Sequence, residues 1–185
     1  MGRAKVGGDT SIITGGGTPE TIKKEYWNGD VEWFTPTEIK SKYISHSVRK
    51  ITKLGLQKSS AKLLPIGTLL FSSRATVGDV GIAEHECTTN QGFQSFIVNS
   101  SNDLEFIYYW IKYNKKEFLR RASGSTFLEI SKKEIEKISI NLPSKEEQTK
   151  IATFLTAIDV KIDQNSKQLE QSQQFKKALL QQMFV

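Results

Sequence analysis

Apolar positions near the end of the chain fall into a heptad pattern that predicts one long helix. Ile151, Leu155, Ile158, Ile162 and Leu169 recur at alternating steps of four and three residues, with Asn165 and Ser172 at the seam positions between them. After a phase slip, Phe175, Leu179 and Met183 carry the stripe on, and no Gly or Pro interrupts it from Ser144 onward. Its start is marked by Ser144 and Glu147, the spacing of a capping box in which each side chain satisfies a free backbone N–H of the first turn, and Pro143 stops the preceding segment from running on. At ~1.5 Å per residue the helix spans roughly 60 Å, longer than a domain of this size needs for its own packing. Such a helix needs another beside it, so it is expected to be a spacer or dimerisation strut, with Ile151, Leu155, Ile158, Ile162, Leu169, Phe175 and Leu179 at the interface.

Ahead of Pro143 the pattern changes to short alternating runs. Residues 10–14 read as a strand entering the loop Gly15-Gly16-Gly17-Thr18-Pro19. Tyr26 to Asp30 reads as a turn before a strand over Val31–Phe34, and Thr35-Pro36-Thr37-Glu38 as a capped short helix. Strands follow at 68–74, 80–83 and 93–98, joined by tight loops. From Asn102 to about Arg121, Leu104, Ile107, Tyr108, Ile111, Phe118 and Leu119 share a helical face, with Lys115, Lys116, Arg120 and Arg121 toward the end that favours cations. Ser131 and Glu134 open a short helix, and Ile138 to Leu142 alternates as a final strand. The fold class is α+β, with a β-rich domain over 1–143 and a long coiled-coil helix over 144–185.

Charge sharpens this picture. The formal net charge is +6, and residues 1–143 hold the excess, 20 Lys or Arg against 15 Asp or Glu, while the helix carries 6 against 5. Between Ile39 and Gly78 lie Lys40, Lys42, Arg49, Lys50, Lys53, Lys58, Lys62 and Arg74 with no acid at all, interleaved with Tyr43, Ser45, His46, Ser47, Ser59 and Ser60. That combination supplies point charges for phosphates and neutral donors for groove edges. The alternative is a solvated basic face. No apolar run approaches the ~20 residues of a membrane span and no secretory pattern opens the chain, so a cytoplasmic protein is expected. Cys87 is the single cysteine and has no internal disulfide partner.

Catalytic chemistry finds little support. The triple glycine is followed by neither Gly-Lys-Ser/Thr nor a dinucleotide fingerprint, so it reads as a tight turn. Glu84-His85-Glu86-Cys87 is the one cluster with metal-capable side chains, but adjacent strand residues point to opposite faces and cannot converge on one ion. A divalent-ion nuclease using Asp79, Glu84 and Glu86 is an alternative that nothing in their spacing demands. No methyltransferase motif is present.

Several segments, taken in order, resemble the DNA specificity subunits of type I restriction-modification systems. They are Thr14-Gly15-Gly16-Gly17-Thr18-Pro19, Glu25 to Asp30 with Trp33-Phe34-Thr35-Pro36, Leu64 to Gly78, Thr89-Asn90-Gln91-Gly92-Phe93, Gly124-Ser125-Thr126, and Leu142-Pro143 leading to Glu147-Gln148 and Ile151-Ala152. The opening Val6-Gly7-Gly8-Asp9 departs from the family's apolar-Gly-Asp lead. In that family a target recognition domain is followed by a long helix, and the usual chain carries two such units whose helices pair antiparallel. This chain resembles one unit, so a homodimer through antiparallel helices is expected, reading two inverted copies of one short sequence. The resemblance implies a protein that is not an enzyme and binds no cofactor or metal. Methylation and cleavage would come from separate methyltransferase and restriction subunits, the former docking on the helices.

By position, the resemblance puts base readers between Pro36 and Leu63, which takes in Lys40, Lys42, Tyr43, Arg49, Lys50, Lys53 and Lys58, and phosphate contacts at Ser72, Ser73, Arg74 and Thr76. Asn90, Gln91, Ser125 and Thr126 are further DNA-binding candidates. Side-chain chemistry agrees: Arg and Lys reach guanine O6 and N7, Asn and Gln pair with adenine, and hydroxyls grip the backbone. For Asn90 and Gln91 the alternative is a polar turn, and for Arg74 a salt bridge to Asp79. A scaffold acting mainly through its helix is the rival function.

Overall fold

The computed structural model describes residues 2–184. Among these residues ten strands form three sheets. Strands β1 (Gly2–Lys5) and β10 (Ser139–Leu142) pair antiparallel near the root of the long helix. A five-stranded sheet runs in the order β2 (Ser11–Gly15), β9 (Gln94–Val98), β6 (Leu69–Phe71), β7 (Val80–Ala83), β4 (Tyr43–Ile44), and a three-stranded one in the order β5 (Arg49–Ile51), β3 (Trp27–Phe34), β8 (Cys87–Thr89). The five-stranded sheet is covered on both faces, which is why β6 and β7 are uniformly apolar and buried rather than alternating. Leu69, Phe71, Val80, Ile82 and Phe96 face a helical layer, whereas Leu70, Ala83 and Phe93 face Phe34 and Cys87.

That helical layer is α2 (Leu104–Tyr113), α3 (Lys115–Arg121) and α4 (Lys132–Glu136), while a short α1 (Lys53–Gln57) sits beside the three-stranded sheet. The single helix expected over 102–121 is broken at Asn114, whose Nδ2 donates to the Trp110 carbonyl at 2.8 Å and ends α2. The break turns Phe118 into the core, its ring centroid 4.8 Å from that of Phe71. In β3, Trp27 and Val31 both lie opposite Ile51, a bulge that includes Asn28 at a positive φ of 61°. It brings Trp27 and Trp33 edge to face at 5.1 Å in a small core of their own with Ile51 and Ala61.

Helix α5 (Lys145–Met183) is one unbroken run of 39 residues, opened by the expected capping box of Ser144 and Glu147. It does not fold back on the body. The root of α5 lies on α2, with Gln148 and Ala152 buried against the body, and from Lys161 every described residue is exposed. Gln148 is held by three hydrogen bonds: its Oε1 accepts from the Asp103 N–H at 2.9 Å, and its Nε2 donates to Asn102 Oδ1 at 3.3 Å and Pro143 O at 3.1 Å. At 100° per residue the buried face lies about a quarter-turn from the apolar seam. Ile151, Ile158, Ile162, Leu169, Phe175 and Leu179 are accordingly 38–67% exposed, and Leu155 is half-buried.

Candidate nucleic-acid interface

Loops from distant parts of the chain meet on one rim, because the C-terminal ends of β2, β3, β6 and β8 and the N-terminal end of β9 all emerge there. The Gly17 N–H donates to the Thr89 carbonyl at 2.8 Å, and the Thr18 hydroxyl donates to Gln91 Oε1 at 2.6 Å. Glycine at position 16 is dictated by contact: a Cβ there would lie 2.2 Å from both Asn90 O and Thr89 Oγ1. The Ser73 N–H donates to Gly92 O at 2.9 Å, and the Ala75 N–H to Leu128 O at 3.3 Å, which ties the loop after β6 to the loop of Gly124 to Leu128. Ala75 sits at φ 64°, in the left-handed region that a β-carbon disfavours, so the tip of this loop is held in shape by its neighbours.

From that rim Arg74, Thr76, Gln91, Ser125 and Thr126 are exposed. Arg74 reaches Glu129 at 3.9 Å and stands over the Phe127 ring at 5.9 Å, while Asp79, its expected partner, pairs with Lys115 at 2.5 Å. Asn90 is half-buried, and its Oδ1 accepts from the Gly92 N–H at 2.8 Å, the behaviour of a polar turn. Ser72 and Ser73 correct the expectation of phosphate contact: both are fully buried, and the Ser72 hydroxyl lies 2.9 Å from that of Thr76 and donates to the Arg74 carbonyl at 3.1 Å. They shape the loop from beneath.

The acid-free basic segment borrows its acids from elsewhere. Lys50 pairs with Glu32 at 2.6 Å, and Lys42 pairs with Glu105, as does the Tyr43 hydroxyl. Lys42 is therefore a second correction: its side chain is only 13% exposed and its ammonium is saturated by protein groups, so it is not available to DNA. Burial opposes ionisation of Glu32. Hydrogen bonds from Lys50, from the Ser47 hydroxyl and N–H, and from His46 outweigh that and hold the carboxyl down at about 2. Arg49 holds its guanidinium carbon over Trp27, 3.6 Å from the ring centroid, and the residue remains exposed. Lys40, Lys53, Lys58 and Lys62 are exposed, and among the described residues none of them has a carboxylate within ion-pair distance.

The residues weighed for metal chemistry are dispersed. Glu84 accepts from Ser45, His85 stacks on His46 at 5.5 Å, and Cys87 is buried with its thiol pushed up to about 12 by desolvation, then by Glu32. Among the described residues no group of three or more His, Cys, Asp or Glu is placed to hold a metal ion, and no helix is long and apolar enough to cross a membrane.

The family model described as the type I restriction modification DNA specificity domain matches residues 8–172. The chain belongs to this family. The MjaIX specificity subunit of Methanocaldococcus jannaschii is 41% identical over 167 residues, which is 88% of this chain and 39% of that subunit. The EcoR124I/EcoR124II specificity subunit of Escherichia coli is 28% identical over 152 residues, 78% and 38% of the two chains. The chain thus spans about two fifths of the length of these relatives. Among solved structures, the HsdS subunit of Thermoanaerobacter tengcongensis superposes with a TM-score of 0.67 at 23% identity, over 88% of this chain and 38% of that one. A chain from a study of type I system assembly and conformational transition reaches 0.71 at 23% identity, over 98% and 43%. The specificity-subunit architecture, a β-rich domain followed by a long helix, is the one seen here.

Sequence reasoning missed the roles of Glu32, Glu105 and Gln148. Each is defined by a partner far along the chain, Lys50, Lys42 and the Asp103 N–H respectively, and no local motif announces such a pairing.

Proposed function

We propose that this chain is a DNA-reading unit of a type I restriction-modification system, which performs no chemistry itself and directs separate methyltransferase and restriction subunits in the cytoplasm. The observation that carries this reading is the rim, where four separated sequence segments converge and turn Arg74, Thr76, Gln91, Ser125 and Thr126 outward. Arg49, Lys53 and Lys58 add cationic and stacking groups suited to base edges and phosphates. Two copies pair through antiparallel α5 helices along the exposed seam, with methyltransferase subunits docking on the helix pair. At ~1.5 Å per residue α5 is about 58 Å long, which keeps the two bodies within two turns of duplex at ~34 Å per turn.

Fluorescence anisotropy with duplex DNA at rising salt tests the reading. Affinity is expected to fall about 10³-fold or more between 50 and 200 mM salt if some six phosphates are contacted, and Arg49→Ala to weaken it further. Affinity insensitive to salt would contradict it. A scaffold acting through its helix alone, favoured by the unpartnered seam, would instead retain partner binding with negligible DNA affinity.

A further inference from the structure

Past its Gln148 anchor, helix α5 leaves the body through a second set of polar contacts, which converge on one ammonium. Lys42 Nζ is paired with Glu105 of α2 and donates to the Tyr109 hydroxyl at 2.8 Å and to Thr156 Oγ1 of α5 at 3.0 Å. The Thr156 hydroxyl donates to Glu105 at 2.8 Å, and Tyr109 donates to Asp159 of α5 at 2.6 Å. The ammonium also stands 4.5 Å from the Tyr109 ring centroid. At its other end Lys42 is rooted in the five-stranded sheet, where its carbonyl accepts from the Ile82 N–H at 2.7 Å. One residue therefore ties the segment between Pro36 and Leu63 to both α2 and α5, and neither it nor Glu105 is much exposed, at 13% and 26%.

Beyond Asp159 the body and helix diverge around an open cleft of about 530 Å³ lined by Val160, Asp163, Lys112 and Lys115. Among the described residues none from Lys161 onward is hydrogen-bonded or ion-paired to the body, and each is exposed. Helix direction is thus set at the joint. Over a lever of ~36 Å from Asp159 to the end of α5, a tilt of about 5° moves the far end by about 3 Å, close to the ~3.4 Å step of one base pair.

We propose that Lys42 is a positioning residue that fixes the angle between the recognition body and α5, and thereby the length of unread DNA between two half-sites. The spacer role rests on the two-copy reading above; the fixed angle does not. Lys42 acts through Glu105, Thr156 and, by way of the Tyr109 hydroxyl, Asp159, and touches no DNA.

Two measurements test it. Single-molecule energy transfer between dyes at Lys62→Cys and Lys167→Cys, in labelled chain diluted with unlabelled chain, reads the angle; Cys87 is buried and escapes the label. Lys42→Met is expected to broaden the distance distribution, and the milder Asp159→Asn to broaden it less. Duplexes carrying the selected half-sites at successive one-base-pair spacings read the consequence. Discrimination against the wrong spacing should fall about tenfold in Lys42→Met, the scale of a coupling between sites, while affinity for a single half-site stays unchanged. An unaltered distance distribution in both variants would overturn the proposal, as would a uniform loss of affinity at every spacing, which would make Lys42 a DNA contact. If the parent protein selects one undivided sequence, the two-copy reading and the spacer role fall together, and the distance distribution still decides whether the joint is fixed by Lys42.

Discussion

Replacing Ile158 and Ile162 by Asp should dissolve the proposed two-chain assembly while leaving the body folded. Ile158 is 38% and Ile162 55% exposed, so together they present nearly one whole isoleucine side chain to solvent. Burying that surface against a partner contributes about 2–3 kcal/mol per chain. Two-fold symmetry counts it twice, and about 4–6 kcal/mol corresponds to three to four orders of magnitude in Kd, before the added cost of burying carboxylates. The body should be indifferent, because the buried root of α5 uses Gln148 and Ala152 on a different face of the helix. Sedimentation equilibrium at micromolar protein is the assay, with near-ultraviolet circular dichroism as the control for folding. A parent protein that is monomeric at tens of micromolar, or a variant that keeps the two-chain mass, would refute the reasoning.

Other substitutions probe the rim and its supports. Arg74→Ala and Lys58→Ala should each lower the slope of log affinity against log salt by about one, with thermal stability unchanged, since both side chains are exposed. Gly16→Ala forces a β-carbon onto Asn90 O and Thr89 Oγ1 and should cost more than about 2 kcal/mol in a urea melt. Because the folded carboxyl of Glu32 is depressed to about 2, its contribution is fully present above its unfolded value and lost as pH falls through about 2. Glu32→Gln should therefore destabilise by about 2–3 kcal/mol at pH 6, and the gap from the parent protein should narrow progressively below about pH 4.5.

Elements with their own amphipathic signature were legible in the sequence. Helix α5 shows its capping box and heptads without reference to anything else, and the strands around Leu69–Phe71, Val80–Ala83 and Gln94–Val98 are apolar enough to stand out. Elements defined by their partners were not. Strand β1 reads Gly-Arg-Ala-Lys and exists because β10 pairs with it, and β4 and β5 are two and three residues long. The root of α5 was hidden because it docks through Gln148, Thr156 and Asp159, polar groups that an apolar periodicity ignores. In the candidate site, charge alone singled out the basic segment but could not tell Lys58, which is free, from Lys42, which is neutralised by Glu105. The hydroxyls of Ser72 and Ser73 looked available for the same reason, and only the fold shows that they point inward.

The sharpest test of the account is to let the protein choose its DNA. Random duplexes captured by this chain, alone and with a type I methyltransferase subunit added, should yield on sequencing two inverted copies of one short motif, separated by a fixed number of unread bases and under two helical turns apart. A single undivided motif, two unrelated motifs, or no enrichment at all would contradict it.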